Sequence, residues 1–437
     1  MIKKLVLVFI AISTFQSYAQ QRGTASPYSF YGIGSLKFKG TVENRSMGGL
    51  SIYTDSIHVN LRNPASYATD NVGLYPFDGE SRPVKFSVGG SYSSVGLKSN
   101  LDTDNSSTTT FDYLALSLPM GRFGFGFGLM PYTSVGYKME SLNASGDISN
   151  RFNGQGGLNK AFFGLGYQIK KGLSVGVDAH YNFGNIENSA VEFVYDGDGV
   201  PILIQSRENN RSSLSGLNIN LGLSYKTMLN NKLELVTGIT YTPESNLTSN
   251  NNRSYSTITV SSTGVERVNN TIDYDLEAIG LKQTDLVLPS KFSVGAGIGE
   301  VRKWFVGAEF VTQKTSNFSN ELYSTTATTF EDAYTYSLGG FYIPQYNSYT
   351  SYLKRIVYRA GMHFEKTGLN INNESIKEFG MSFGVGVPVG SLFSNANLGF
   401  EFGKRGTTNS NLIQENFINF QISLSLNDRW FRKRKYD

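Results

Sequence analysis

The chain has 437 residues, 39% hydrophobic, with 47 Gly, 26 Tyr, 30 Phe and no Cys. Without cysteine there are no disulfides, thiolate metal sites, cysteine nucleophiles or lipidated cysteine N-terminus. The formal charge of +4, which includes Lys3 and Lys4, is too weak and dispersed to favour nucleic acid as a partner.

Residues 1–19 read as a secretory signal peptide: Lys3 and Lys4, the apolar run Leu5 to Ile12, then Ser17, Tyr18 and Ala19. That run is far shorter than the ~20 residues a membrane-spanning helix needs, so it directs export and the mature protein is expected to begin at Gln20. No later segment is long and apolar enough to span as a helix, so a spanning protein must be a barrel.

Residues 20–83 show no long alternation and carry Gly with Tyr28, Phe30, Tyr31, Phe38 and Tyr53. They are too apolar for a disordered leader, and a wide barrel cannot fill its lumen with wall side chains alone. An N-terminal hatch plugging the lumen is expected.

From residue 84 to residue 431 the dominant signal is a two-residue period, as a membrane strand requires. Leu217, Ile219, Leu221, Leu223 and Tyr225 share one face, against Asn218, Asn220, Gly222, Ser224 and Lys226 on the other. Leu173 to Gly184 repeats the pattern. Lys85, Glu234, Lys291, Glu309, Arg355, Arg359, His363 and Glu401 fall in the inward phase. A charge in the lipid phase costs ~2–4 kcal/mol at mid-depth, which accounts for the segregation. The strands are about twice the usual ~5–6 residues of a soluble sheet, which disfavours a sandwich.

Thirteen strands are clear, and Tyr334 to Pro344 supplies a fourteenth, restoring the even number of a bacterial barrel. The fold class is therefore all-β, a transmembrane antiparallel barrel of about fourteen strands around the hatch, in the cell outer membrane with its lipid as solvent. Short links at Met120-Gly121, Lys170 to Gly172, Leu229 to Asn231, Glu300 to Arg302 and Val389 to Phe393 face the periplasm, as does Gln345 to Leu353. Polar stretches at about 98–110, 139–157, 185–214, 244–288, 315–333, 367–375 and 405–416 are expected as outer loops. Residues 432–437 form a basic periplasmic tail.

Enzyme motifs are missing. His58, His180 and His363 have no ligand spacing, so neither a metal nor another cofactor is expected, and no nucleophile motif suggests an enzyme. The run G-F-G-F-G at Gly124 to Gly128 has strand rather than phosphate-loop spacing, placing its phenylalanines toward lipid and bare backbone inward. Pro131 interrupts the third strand and should bulge or kink it, because it cannot donate a ladder hydrogen bond. Arg355, Arg359 and His363 are expected as polar lumen contacts.

Met47 to Leu50 (M-G-G-L) and Asn63-Pro64-Ala65 before the barrel, with G-L-M-P-Y at Gly128 to Tyr132 and the strand count, resemble the FadL-like long-chain fatty-acid transporter family. The resemblance implies that Asn63, Pro64 and Ala65 belong to the hatch, and that Pro131 marks a side opening through which a hydrophobic small molecule leaves. Gly157 to Lys160 and Asn427 to Phe431 look like the branch of that family found in bacteria with type IX secretion. Some barrels of that branch are instead accessory subunits binding partner proteins in secretion or outer-membrane assembly (BAM) complexes. Passage or binding of a hydrophobic molecule is the leading expectation, and an accessory role is the alternative.

Overall fold

The computed structural model describes residues 23–55, 57–68, 83–261, 264–319, 328–389 and 394–428. The expected signal peptide and basic tail lie outside these residues. The expected hatch, 20–83, is described only in part.

Fourteen antiparallel strands close into one barrel. They are β1 (Val84–Lys98), β2 (Thr103–Met120), β3 (Phe123–Pro131 with Thr133–Leu142), β4 (Ile148–Lys170) and β5 (Leu173–Glu192). Next come β6 (Gln205–Met228), β7 (Leu233–Thr242 with Ser245–Val260) and β8 (Glu266–Tyr274, Gln283–Leu288 and Lys291–Glu300). The ring continues through β9 (Trp304–Gln313), β10 (Thr328–Phe330 with Ala333–Tyr342), β11 (Val357–Ile371), β12 (Glu374–Pro388), β13 (Asn395–Arg405) and β14 (Gln414–Asp428). Closure is made by β1 and β14, in register from Val84↔Asp428 to Lys98↔Gln414.

The two-residue period is realised as two chemically distinct surfaces. On β5, Val177 and Tyr181 are 38% and 47% exposed, whereas Ser174 and Asp178 are each 1% exposed. In an aqueous fold that order would be inverted; here the exposed grease faces hydrocarbon. No described helix is long and apolar enough to cross a membrane. The strands do so, because pairing round a closed barrel satisfies nearly all of their spanning backbone groups.

Much of what reads as polar outer loop is strand. The stretches 98–110, 139–157, 185–214 and 244–288 are largely ladder, with β5 and β6 paired without a break from Leu173↔Tyr225 to Glu192↔Ser206. Beyond the bilayer both faces of a strand meet water, so the alternation that betrays a strand disappears while its hydrogen bonds continue. The expected loop at 367–375 shrinks to Asn372 and Asn373, whose φ values of 52° and 65° make a tight hairpin.

Candidate lumen site

Two short elements shape the N-terminal segment: the helix Val42–Arg45 and the 3-10 turn Pro64–Tyr67. Thr41 and Asn44 cap the helix reciprocally, and Asn63 caps the turn by accepting from the Ala65 N–H at 3.0 Å. Pro64 suits the first helical position because its missing N–H is not needed there. Gly48 and Gly49 follow the helix at φ 69° and 84°. A Cβ on Gly48 would stand 2.4 Å from the Met362 carbonyl oxygen, so M-G-G-L is a turn pressed against β11.

The wall is bare where these elements touch it. A Cβ on Gly124 would meet the Tyr67 carbonyl at 1.9 Å, one on Gly126 the Tyr67 ring at 2.4 Å, and one on Gly176 the Pro64 backbone at 2.4 Å. On the opposite side, Gly339 and Gly361 give the same close seat to Met47. Gly124 and Gly126 of G-F-G-F-G are therefore contact points for the turn that carries N-P-A, while Phe123 and Phe127 are exposed on the lipid side.

Polar anchors complete the seating. Arg62 donates to Glu309 on β9 at 2.9 Å, and the Ser51 N–H donates to the same carboxylate at 2.6 Å. Arg45 pairs with Glu401 on β13 at 2.9 Å, and Asn63 donates to the Leu223 carbonyl on β6 at 3.0 Å. The Asn397 amide on β13 donates to Glu43 at 2.6 Å, and Lys85 on β1 donates to the Asp55 carbonyl at 3.1 Å. These partners surround the ring, so residues 23–55 and 57–68 sit inside it. Burial works against the Asp55 carboxylate, yet the His58 ring at 2.7 Å, the His58 N–H and Lys85 hold it well below its ordinary range.

Glu365 and Glu378 are direct cross-strand partners on β11 and β12, a like-charge arrangement that destabilises a sheet. Lys39 lies between them, at 3.2 and 2.6 Å, and Arg405 also pairs with Glu378. Burial disfavours the Lys39 ammonium, but Glu365 and Glu378 outweigh it and raise its pKa. His363 joins this group, 3.1 Å from Glu378. Ligand atoms of His363, Glu365 and Glu378 lie within 4.8 Å of one another, an arrangement open to a cation, but here the Lys39 ammonium neutralises it. The sequence reading missed this cluster because it is assembled across strands and hatch; the alternate inward positions 363 and 365 are its only local trace.

The remaining site residues separate. Arg359 is buried and donates to Asn397 at 3.0 Å. Arg355 is not on a lumen-facing strand position: it ends the 3-10 turn Leu353–Arg355 in the inner link and stacks over Tyr352. The reason is that β11 starts only at Val357, two residues after it.

Pro131 pairs with Asn159 on β4, and the next N–H, of Tyr132, donates to the Leu158 carbonyl. On its other side β3 pairs with β2 only from Leu129↔Leu114 to Phe123↔Met120. Outward of this, among the described residues β2 pairs only with β1, leaving an interruption in the wall between the outer halves of β2 and β3. The N-terminal segment occupies its inner end. Ser35 and Leu36 pair with Ser134 and Thr133, the Lys37 N–H donates to the Tyr132 carbonyl, and Phe38 packs edge-on against Tyr113 of β2.

Among the spaces left in the lumen, two lie side by side, sharing Leu36, Lys39, Tyr132 and Glu365. A central cavity of about 200 Å³ is lined by Lys39, Arg45, Arg62, Lys160, His180 and Lys291 among others. An outer chamber of about 140 Å³, lined by Tyr28, Tyr31, Ile33, Phe318 and Phe330 with Lys39 and Arg405 at its floor, lies next to it. Each is smaller than the ~300–1,000 Å³ usual for small-molecule sites.

The architecture is that of a FadL-like outer-membrane barrel. Among solved structures the chain is similar to the Pseudomonas putida toluene transporter TodX, at 16% identity over 91% of this chain and 100% of that one, with a TM-score of 0.58. A Pseudomonas aeruginosa FadL homologue (12% identity, 90% and 99% coverage, TM-score 0.55) and the CymD monoaromatic hydrocarbon channel (15%, 90% and 98%, 0.51) share the fold. No curated protein matches the sequence. The BamG family model matches residues 1–437, and the chain belongs to the BamG family.

Proposed function

We propose that this protein is an outer-membrane barrel that serves as an accessory subunit of an outer-membrane protein-assembly complex. The observation that carries the reading is the match of the whole chain, barrel and lumen segment alike, to the BamG family. The interior supports it. The lumen segment is fixed by charged anchors on β9, β11, β12 and β13, and the central space is small, with Lys39, Arg45, Arg62, Lys160 and Lys291 on its wall beside apolar residues such as Phe38, Leu61 and Met130. Such a lumen suits a rigid body better than a greasy conduit, because a hydrophobic solute would have to displace buried ion pairs costing several kcal/mol each.

A second reading rests on the outer chamber. Its aromatic lining and about 140 Å³ fit a single small hydrophobic molecule, since an apolar cavity of ~150 Å³ accommodates benzene. Solved structures named for toluene and monoaromatic hydrocarbon transport share the barrel fold.

Extraction of the tagged chain in mild detergent separates the two. An accessory subunit brings other outer-membrane proteins in fixed stoichiometry and leaves hydrocarbon uptake unchanged when removed. A solitary barrel carrying a hydrophobic molecule, with uptake lost on deletion, overturns the assembly reading.

A further inference from the structure

The interruption in the wall leaves a backbone edge that none of the described residues covers. From Thr103 to Phe111, β2 pairs with β1 on one side, and among the described residues its other side has no strand partner. The hatch reaches β2 only at its inner end, where Phe38 meets Tyr113 and Arg45 meets Asp112. On the facing edge of β3, Ser35, Leu36 and the Ser29 hydroxyl, which accepts from the Gly136 N–H, already take up the backbone. Beyond Gly136 the β3 edge, Tyr137–Leu142, likewise has no strand partner among the described residues; the longer of the two uncovered edges is that of β2.

Its chemistry is that of an edge left available. Exposed strand edges are normally blunted by lysine, proline, a bulge or a short length. Thr103-Asp104-Asn105-Ser106-Ser107-Thr108-Thr109-Thr110 has neither lysine nor proline, and the one shift of its register against β1 lies further in, at Gly89/Gly90. Thr103, Asn105, Ser107 and Thr109 are exposed, and all are polar, whereas the next residue of that phase is the half-exposed Phe111. The hydrocarbon thus ends near Phe111, and the edge projects into water on the outer side.

We propose that Thr103–Thr110 of β2 takes an extended segment of a partner protein by strand addition at the outer surface. The inference rests on the accessory-subunit reading and names the place of contact. The interruption already admits one added strand, the Ser35–Leu36 pair on β3, so the same mode of docking is present within the molecule. Main-chain hydrogen bonds would supply affinity. Because both faces of β2 are polar here, the incoming segment would be rich in hydroxyl and amide side chains, with a basic residue opposite Asp104.

Thr108→Pro and Thr109→Pro form a matched pair, because successive N–H groups in a strand point to opposite sides. One variant removes a donor from the β1 ladder; the other removes only an edge donor and keeps the barrel folded, as judged by heat-modifiable mobility. Hydrogen exchange is then read over 103–110 in the isolated chain and in the purified complex, with a photoreactive residue placed at Ser106. The proposal expects alternate amides protected only in the complex, and cross-linking to one contiguous partner peptide. Both signals should vanish in the barrel-preserving proline variant. An intact complex whose 103–110 amides exchange as fast as in the isolated chain overturns the edge contact and leaves the accessory role standing. Adducts only between copies of this chain likewise overturn it, whereas a wild-type chain that isolates with no partner overturns both.

Discussion

Glu309 is the anchor whose removal is most informative. Its carboxylate is 1% exposed and accepts from the Ser51 N–H, the Ser51 hydroxyl and Arg62, so it ties two points of the hatch to β9. Glu309→Met removes all three acceptances while preserving much of the volume. Arg62 borders the central cavity and regains water, so the lasting loss is the buried Ser51 donors and the charge-assisted bonds, about 3 kcal/mol in total. That corresponds to roughly a 150-fold rise in hatch opening. The chain has no native cysteine, so Ser66→Cys, at a position 6% exposed in the hatch turn, gives a single maleimide target whose labelling rate follows that opening. Arg62→Met with Glu309→Met should cost less than the sum of the single changes by about 1.5–3 kcal/mol, because either change alone already breaks the pair. Strict additivity, or a labelling rate unmoved by Glu309→Met, would refute the idea that this pair holds the hatch.

Lys39→Met leaves Glu365 opposite Glu378 without its hatch cation, and should raise Ser66→Cys labelling at least about tenfold, by roughly 1.4 kcal/mol; Lys39→Arg should keep most of the effect at bay. Gly176→Val drives a side chain into Pro64 and should destabilise by about 1–3 kcal/mol, whereas Gly197→Val, with nothing within 4 Å, should leave the melting temperature of the folded gel band unchanged. The Asp55 carboxyl titrates lower folded than unfolded, so its stabilisation is present above its unfolded pKa of about 4 and is lost as pH falls through the folded value. Hatch labelling in Asp55→Asn should therefore exceed the parent at neutral pH and converge with it in strong acid. Pro131→Val should leave the wall interruption in place and change stability by less than about 1 kcal/mol, because Ser35 and Leu36 still hold the neighbouring Thr133 and Ser134; hydrogen exchange over β2 would detect a restored ladder.

The barrel was legible because bilayer and lumen impose opposite chemistry on alternate residues, and β5 and β6 carry that contrast without a break. Pro131 stood out for an equally local reason, its missing N–H, whereas Asn63, Pro64 and Ala65 stood out only through the family resemblance. The outer ladders did not, since polar residues on both faces of 205–214 or 245–260 look like loop until their pairing is seen. The lumen cluster was illegible for a different reason. Lys39, His363, Glu365, Glu378 and Arg405 are brought together by barrel closure and hatch insertion, and Arg355 misleads because a turn two residues before a strand mimics its phase.

The accessory role is tested most directly by depleting this chain in living cells and measuring, within one generation, the amounts of unrelated outer-membrane barrels alongside uptake of a hydrophobic tracer. The account predicts that newly made barrels fail to fold into the membrane, seen as loss of their heat-modifiable bands, while tracer uptake per remaining cell surface holds. Normal barrel assembly with a proportional fall in uptake would contradict it and make the outer chamber the working part of the molecule.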